Sequence, residues 1–234
     1  MTPIPIVALD VSDIHNALLL TDELGDACTF YKVGSELFTS AGRDVVTRIR
    51  DRGCSVFLDL KFHDIPNTVR SAARAARDMG AELITVHASG GAAMISAAVE
   101  GASPGCRVLA VTVLTSLDAG ALQSVWGKPE SIVADEVARL ATIASDAGAY
   151  GVVCSGHEVE AVHRVADGRL ATLVPGIRFA DGDAHDQRRI VTPGMAAQLG
   201  ATYLVVGRAV TGAQSPKAAM KRLHDELQGA VEPR

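Results

Sequence analysis

The sequence lacks the features that mark nucleic-acid-binding and membrane proteins. It carries a formal net charge of -5 at pH 7 and contains no run of basic residues. Binding to a nucleic-acid duplex depends on concentrated Lys and Arg side chains, so this composition argues against that function. No apolar stretch is long enough to span a membrane, and the N-terminus has no basic segment followed by an apolar helix. We therefore expect a cytoplasmic protein that binds neither nucleic acid nor membranes.

Cysteine motifs are also missing. The four cysteines are Cys28, Cys54, Cys106 and Cys154, and none forms a Cys-x-x-Cys pair or has a histidine at the spacing of a metal site. Each lies in or beside an apolar stretch. We expect reduced, buried thiols and no bound metal.

What the sequence does contain is an alternation of short runs rich in Val, Ile and Leu with longer segments of helical periodicity. Continuous apolar strands are typical of a parallel sheet covered by helices. The first strand is not followed by the Gly-x-Gly-x-x-Gly fingerprint of a Rossmann fold. No linker or low-complexity stretch interrupts the chain. We therefore predict one α/β domain over residues 1–234, a (β/α)8 TIM barrel with its active site at the C-terminal ends of the strands.

The predicted elements can be assigned to residues. The predicted strands are Ile4–Leu9, Thr29–Val33, Ser55–Leu60, Leu83–His87, Val108–Val113, Gly151–Cys154, Thr172–Val174 and Tyr203–Val206. The predicted helices are Ile14–Leu24, Val45–Arg52, Pro66–Met79, Ala92–Glu100, Ile132–Ala147, Glu158–Val165, Pro193–Leu199 and Pro216–Leu227. Long loops without periodicity follow the fifth and seventh strands, near 115–129 and 176–191, and we expect both on the catalytic face.

The most informative segment is Asp59–Thr68, which reads Asp-Leu-Lys-Phe-His-Asp-Ile-Pro-Asn-Thr and follows the apolar run Cys54–Leu58. Asp59 and Lys61 stand two positions apart on a strand, so their side chains share a face. Lys32, on the neighbouring second strand, can lie alongside Asp59. Desolvating an unpaired ion is costly, so these charges need partners. They form either a catalytic group or a structural ion-pair network in the barrel mouth.

Asp64 has a functional and a structural interpretation. It stands two residues before Pro66, and proline is favoured in the first turn of a helix. Asp64 is therefore either a catalytic carboxylate or a helix N-cap. We assign no catalytic role to His63 or His87.

The residues after the eighth strand, Gly207 and Arg208, indicate a phosphate site. The loops after strands seven and eight of barrels often bind phosphate through backbone N–H groups. Arg178 and Gln187, from the preceding loop, can complete such a site with charge-assisted hydrogen bonds. The alternative is a solvated arginine after a turn glycine.

The Asp59–Thr68 segment resembles the active-site motif of the orotidine 5'-phosphate decarboxylases. Other segments along the whole chain resemble further motifs of that family. These are Val7–Asp10, Tyr31–Gly34, Val113–Ser116, Val174–Arg178 and Val206–Arg208. Their order and spacing are similar to those of the shorter, bacterial, single-function enzymes, with no fused phosphoribosyltransferase domain.

The resemblance implies a cofactor-free decarboxylation of orotidine 5'-monophosphate to UMP and CO2, the last step of de novo UMP synthesis. It implies that Lys61 donates a proton to C6 within a charged array completed by Lys32, Asp59 and Asp64. It also implies a homodimer with active sites at the interface, where Asp64 and Thr68 reach the partner's site. The implied substrate-binding residues are Asp10 and Lys32 at the ribose, Thr115 or Ser116 at the pyrimidine, Arg178, Gln187, Gly207 and Arg208 at the phosphate, and Asp59, Ile65 and Pro175 elsewhere in the site.

This chemistry fits the residues. Many decarboxylases use an electron sink such as PLP or TPP, and the sequence shows no recognisable motif for either. An ammonium held among carboxylates can instead stabilise negative charge developing at C6 and then deliver a proton.

Two rival functions remain at this point. Mg-dependent decarboxylases and aldolases that act on sugar phosphates share an Asp-x-Lys-x-x-Asp core, although the continuation Ile65–Thr68 argues against them. A non-catalytic barrel that binds a phosphorylated ligand would not need the charged Lys61.

Overall fold

The computed structural model describes residues 2–127, 130, 132–181 and 191–231. Within these ranges eight parallel strands close into a barrel in chain order, and the first pairs with the last. The strands are β1 (Ile4–Ala8), β2 (Phe30–Gly34), β3 (Ser55–Phe62), β4 (Leu83–His87), β5 (Arg107–Val111), β6 (Gly151–Val153), β7 (Ala171–Val174) and β8 (Tyr203–Val206). This closed parallel sheet confirms the predicted (β/α)8 barrel.

Helices follow the strands and cover the barrel. They are α1 (Ile14–Leu24), α2 (Ser35–Ala41), α3 (Arg43–Arg50), α4 (Pro66–Asp78), α5 (Gly91–Ala102), α6 (Ala119–Trp126), α7 (Val133–Asp146), α8 (Val159–Val165), α9 (Pro193–Gln198), α10 (Arg208–Thr211) and α11 (Pro216–Val231). Short 3₁₀ turns lie at Gly25–Ala27, Ala88–Gly90 and Gly156–Glu158. Within the described residues, no helix has both the length and the apolar character needed to cross a membrane. The cytoplasmic location stays a prediction.

Two apolar layers follow from the alternation of side chains along the strands. In β1, Ile6 and Ala8 belong to the cluster that fills the barrel, whereas Val7 belongs to the cluster between strands and helices. The same alternation places Phe57 of β3 inside the barrel and Leu58 outside it. The inner layer stops below the C-terminal ends of the strands, which leaves a mouth there.

Aromatic rings close the opposite end of the barrel. The Tyr150 hydroxyl lies 3.3 Å from that of Tyr203, and an Arg107 Nη1 donates a hydrogen bond of 3.0 Å to Tyr150. The Arg107 guanidinium also lies 4.5 Å from the centre of the Tyr150 ring, a cation–π contact. Burial raises the pKa of the Tyr203 hydroxyl to about 12. The contacts at this end of the barrel are therefore structural. The mouth at the C-terminal ends of the strands is the candidate site for catalysis.

Three helices were not predicted. The short α2 begins directly after β2, and the short α10 begins one residue after β8. The α6 helix lies in the segment predicted as a loop near 115–129, so that prediction is wrong. Asp118 caps the N-terminus of α6, and its carboxylate accepts a 2.9 Å hydrogen bond from the backbone N of Ala121. Gly127 caps the C-terminus of the helix with a left-handed φ of 64°. Local capping sets both ends of this helix, which is only two turns long.

The cysteines differ slightly from the prediction. All four are free thiols, and Cys28, Cys106 and Cys154 are buried as expected. Cys54 is partly exposed, which corrects the expectation for this residue. It directly precedes β3, at the N-terminal end of that strand.

Candidate active site

A cavity of about 470 Å³ opens at the C-terminal ends of the strands. Most of the residues singled out in the sequence lie in its wall, because the ends of parallel barrel strands meet at one rim. These are Asp10, Lys32, Asp59, Lys61, Thr115, Pro175, Arg178, Gly207 and Arg208. The cavity therefore combines a charged wall built on β1–β3 with a basic wall built on β7 and β8.

The charged wall alternates in sign. The Lys61 ammonium donates hydrogen bonds of 2.9 Å to both carboxylate oxygens of Asp59. The Lys32 ammonium lies 2.8 Å from Oδ1 of Asp10 and 3.9 Å from Oδ2 of Asp59. Lys32 and Asp59 are largely buried, with side-chain exposures of 11% and 13%. Each charge thus has an opposite charge as its neighbour, which offsets the cost of desolvation.

A glycine makes room for this wall. A Cβ atom at Gly34 would lie 2.9 Å from Nζ of Lys32 and 3.5 Å from Oδ1 of Asp10. Gly34 is the last residue of β2, opposite Asp59 of β3. The absence of a side chain at this position lets the Lys32 ammonium reach both carboxylates.

The backbone around Lys61 is irregular. Pairing between β3 and β4 shifts between Leu58 and Phe62, so the strand bulges where the charges lie. Lys61 itself has a φ of 50°, in the left-handed region that non-glycine residues rarely adopt. Its backbone N–H donates to Oγ1 of Thr85 at 2.9 Å, and the Thr85 hydroxyl donates to Oδ1 of Asp59 at 2.9 Å.

Sequence reasoning missed Thr85. The only available signal was one hydroxyl within the apolar strand Leu83–His87, since a buried hydroxyl requires a hydrogen-bond partner. Identifying that partner requires the β3–β4 register, which the sequence does not contain.

Apolar side chains complete the wall of the cavity. These side chains come from inward positions of five strands or the residues just after them. They are Phe57, Val111, Val113, Val153, Leu173 and Val205. These residues were not predicted as part of the site, although period-two alternation along each strand indicates which of them point inward. An apolar surface of this kind strengthens electrostatic interactions beside it.

The basic wall contains Arg178 and Arg208. Because β3 and β7 are four strands apart in the eight-stranded barrel, this wall faces the Lys61–Asp59 pair. Arg178 is 7% exposed and donates through Nη1 to the backbone O of Ile177 at 2.8 Å. Gly207 precedes the first residue of α10, which is Arg208. Gln187 lies outside the described residues.

Asp64, Ile65, Thr68 and Ser116 are all exposed and do not line the cavity of the single chain. The Asp64 carboxylate accepts a 2.6 Å hydrogen bond from the backbone N of Ile65. The N-cap position of α4 is Ile65, with no side-chain capping bond, so the interpretation of Asp64 as the N-cap is wrong. Pro66 does occupy the first turn of α4.

Two histidines, His63 and His87, lie near Lys61. The ring centres of His63 and His87 are 5.4 Å apart. Burial lowers the pKa of His87, and the charges of His63 and Lys61 lower it further. His87 is thus biased toward the neutral form near the positive Lys61.

The carboxylates of the cavity already bind ammonium groups. Asp10 accepts from Lys32, and Asp59 accepts from Lys61. Among the residues that the structure describes, no three His, Cys, Asp or Glu side chains are grouped so that they could hold a metal ion.

The chain is similar over most of its length to known decarboxylases. Residues 3–223 match the profile of the orotidine 5'-phosphate decarboxylase / HUMPS family. An orotidine 5'-phosphate decarboxylase of Moorella thermoacetica is 45% identical over 231 residues, covering 95% of this chain and 91% of that protein. One from Anaeromyxobacter sp. (strain K) is 52% identical over 194 residues, covering 82% and 84%. The crystal structure of orotidine 5'-phosphate decarboxylase from Lactobacillus acidophilus matches with a TM-score of 0.85 at 38% identity, covering 97% of this chain and 99% of that one.

Proposed function

Because the chain belongs to the orotidine 5'-phosphate decarboxylase / HUMPS family, it is a carboxy-lyase, and we propose that Lys61 carries out its decarboxylation of orotidine 5'-monophosphate to UMP. This reaction is a step of pyrimidine biosynthesis. One observation carries the proposed role, which is the Lys61 ammonium held 2.9 Å from both oxygens of Asp59 in the wall of the cavity.

The chemistry requires a positive charge and a proton at one atom of the substrate. When the bond between C6 and the carboxylate breaks, CO2 leaves and the electron pair stays on C6, where the pyrimidine ring delocalises it poorly. The Lys61 ammonium stabilises that developing charge. One N–H bond of Lys61 then breaks as the C6–H bond of UMP forms, and the amine regains its proton from solvent.

Asp59 orients the ammonium group of Lys61. Two charge-assisted hydrogen bonds hold the ammonium in one direction, so little reorganisation is needed when charge develops at C6. No resident cofactor has a step in this proposal, because the Lys61 ammonium supplies both the charge and the proton.

The rest of the cavity would bind the parts of the substrate that do not react. The Asp10–Lys32 pair suits ribose hydroxyls, which both donate and accept hydrogen bonds. The basic wall of Arg178, Gly207 and Arg208 suits the phosphate. Thr115 would contact the pyrimidine, and Pro175 would contact the substrate elsewhere in the cavity. Binding energy from the phosphate can orient the base against Lys61. Gln187 and Ser116 stay predictions for this site.

A homodimer is part of the proposal. Asp64 and Thr68 are exposed, and the apolar side chain of Ile65 between them is 68% exposed in the segment that joins β3 to α4. A second copy covering this segment would bury Ile65 and bring Asp64 and Thr68 against the partner's substrate. The four-residue charged array of Lys32, Asp59, Lys61 and Asp64 would then be complete only in the dimer.

The test is incubation of the purified enzyme with orotidine 5'-monophosphate in buffer containing EDTA and no added cofactor. We expect UMP and CO2 in equal amounts. Activity that disappears in EDTA and returns with Mg²⁺ would favour a metal-dependent relative instead. Binding of UMP without release of CO2 from the substrate would favour a non-catalytic barrel.

A further inference from the structure

We infer that Thr85 is a positioning residue of the active site, whose single hydroxyl fixes both the backbone of Lys61 and the carboxylate of Asp59. Thr85 lies in β4 and is fully buried. It does not line the cavity, so it acts through its two partners and not on the substrate. The inference rests on the proposed function of Lys61, and it adds Thr85 as a residue that positions Lys61 without contacting the substrate.

The bulge in β3 creates the need for this hydroxyl. Leu58 pairs with Ile84 and Phe62 pairs with Val86, so three residues of β3, centred on Leu60, lie opposite Thr85 alone. A strand with extra residues bends, and its backbone groups lose regular ladder partners. A buried N–H without a partner is costly, so the bulge is stable only if another group accepts from it.

Thr85 accepts that hydrogen bond. The backbone N–H of Lys61 donates to Oγ1 of Thr85 at 2.9 Å. Lys61 adopts its left-handed φ of 50° at this point, a conformation that persists only where the surroundings stabilise it. The side chain of Thr85 therefore takes over the role that a strand neighbour plays elsewhere in the sheet.

The same hydroxyl donates its one proton to Asp59. The distance from Oγ1 of Thr85 to Oδ1 of Asp59 is 2.9 Å, equal to that from Nζ of Lys61 to the same oxygen. A hydroxyl has one donor and two acceptor positions, so it can accept from Lys61 and donate to Asp59 at once. One buried group thus fixes both the chain that carries the ammonium and the carboxylate that orients it.

The variants Thr85→Val and Thr85→Ser separate this role from packing. Valine keeps the shape and removes the hydroxyl, whereas serine keeps the hydroxyl and removes a methyl group. We expect kcat for orotidine 5'-monophosphate to fall at least about tenfold in Thr85→Val, since a buried N–H and a carboxylate each lose a partner. The KM should stay within about threefold, because the residues proposed for ribose and phosphate are untouched. Thr85→Ser should keep kcat within about threefold.

Thr172→Val is the matched control. Thr172 is also fully buried in a strand, and its Oγ1 accepts a 3.3 Å hydrogen bond from the backbone N of Thr202. It lies in β7 and does not line the cavity, and the backbone N–H of Thr202 also donates to the backbone O of Thr172 at 3.0 Å, so Thr172→Val should leave kcat unchanged. The comparison shows whether a fall in kcat comes from a buried hydroxyl in general or from this one.

Hydrogen exchange of the Lys61 amide gives a readout that needs no substrate. Protection of this amide should fall in Thr85→Val and persist in Thr85→Ser. If the wild-type enzyme released no CO2, the proposed function would fail, and this exchange experiment would still test the hydrogen-bond chain.

Three results would overturn the inference: wild-type kcat in Thr85→Val, an equal loss in Thr85→Ser, or unchanged protection of the Lys61 amide in both variants. If Thr85→Val does not fold, Thr85→Cys replaces it, because a thiol of similar size is a weak donor and acceptor. Equal turnover by the Cys and Ser variants would then refute the role of the hydroxyl.

Discussion

The ammonium of Lys61 lies at the same distance, 2.9 Å, from both carboxylate oxygens of Asp59. This contact lies at the end of β3, in the wall of a cavity that is charged on one side and apolar on another. A charge held in this way is oriented before substrate arrives, which is the condition for strong electrostatic stabilisation of a transition state. The proposed function depends on this pair and on the groups that hold the substrate against it.

Arg208→Ala tests the phosphate wall. Loss of a charge-assisted hydrogen bond costs about 1.5–3 kcal/mol, so we expect kcat/KM for orotidine 5'-monophosphate to fall roughly 10- to 150-fold. The same substitution should have little effect on orotidine, the substrate without the phosphate. Steady-state kinetics with both substrates checks this, with Arg164→Ala, an exposed arginine on α8, as the control. An equal loss with both substrates would show that Arg208 does not bind the phosphate.

Mixed subunits test whether Asp64 acts in the partner's site. Asp64→Asn and Lys61→Ala homodimers should each be inactive. If Asp64 acts across the interface, a mixed dimer contains one intact site. Random exchange makes half of the dimers mixed, so activity should recover to about a quarter of wild type. Lack of recovery, with exchange confirmed by mass spectrometry, would place Asp64 in its own subunit's site or outside catalysis.

His87 should make stability depend on pH. Burial, followed by the charges of His63 and Lys61, lowers its pKa below the ordinary value of 6.5. At pH values between the lowered pKa of folded His87 and 6.5, the unfolded chain therefore binds a proton that the folded chain does not bind. The contribution of neutral His87 to the free energy of unfolding is fully present above about pH 6.5, and it is lost as the pH falls below that value.

The variant His87→Asn checks this dependence. Urea denaturation between pH 5 and pH 8 should give a free energy of unfolding that declines less on acidification than in wild type. His157→Asn, at an exposed position, should keep the wild-type slope. A steeper decline in His87→Asn would mean that the sign assigned to His87 is wrong.

Much of the fold could be predicted because the periodicity of the sequence reflects burial. Strand β8 and helix α1 have the predicted bounds, Tyr203–Val206 and Ile14–Leu24. The contact between Lys32 and Asp59 was predictable as well, because neighbouring parallel strands end at the same rim. The short α6 escaped prediction, since local capping at Asp118 and Gly127 defines it more than hydrophobic periodicity does.

The groups that fix Lys61 could not be predicted. The bulge and the hydrogen bonds of Thr85 depend on the register between two strands, which is set by packing of the whole barrel. A sequence pattern places Asp59 and Lys61 on one face but does not show that the backbone at Lys61 is left-handed. The position of Asp64 in a dimer depends on a second chain, so its role across the interface stays a proposal.

The most direct measurement of the central claim is the turnover of Lys61→Ala beside its affinity for UMP. Removing the proton donor and the charge at C6 should lower kcat for orotidine 5'-monophosphate by at least about 10³-fold. The Kd of UMP should change by less than about tenfold, because the phosphate and ribose groups remain. Lys221→Ala, at an exposed position on α11, should match wild type in both. A kcat of Lys61→Ala within tenfold of wild type would contradict the role of Lys61.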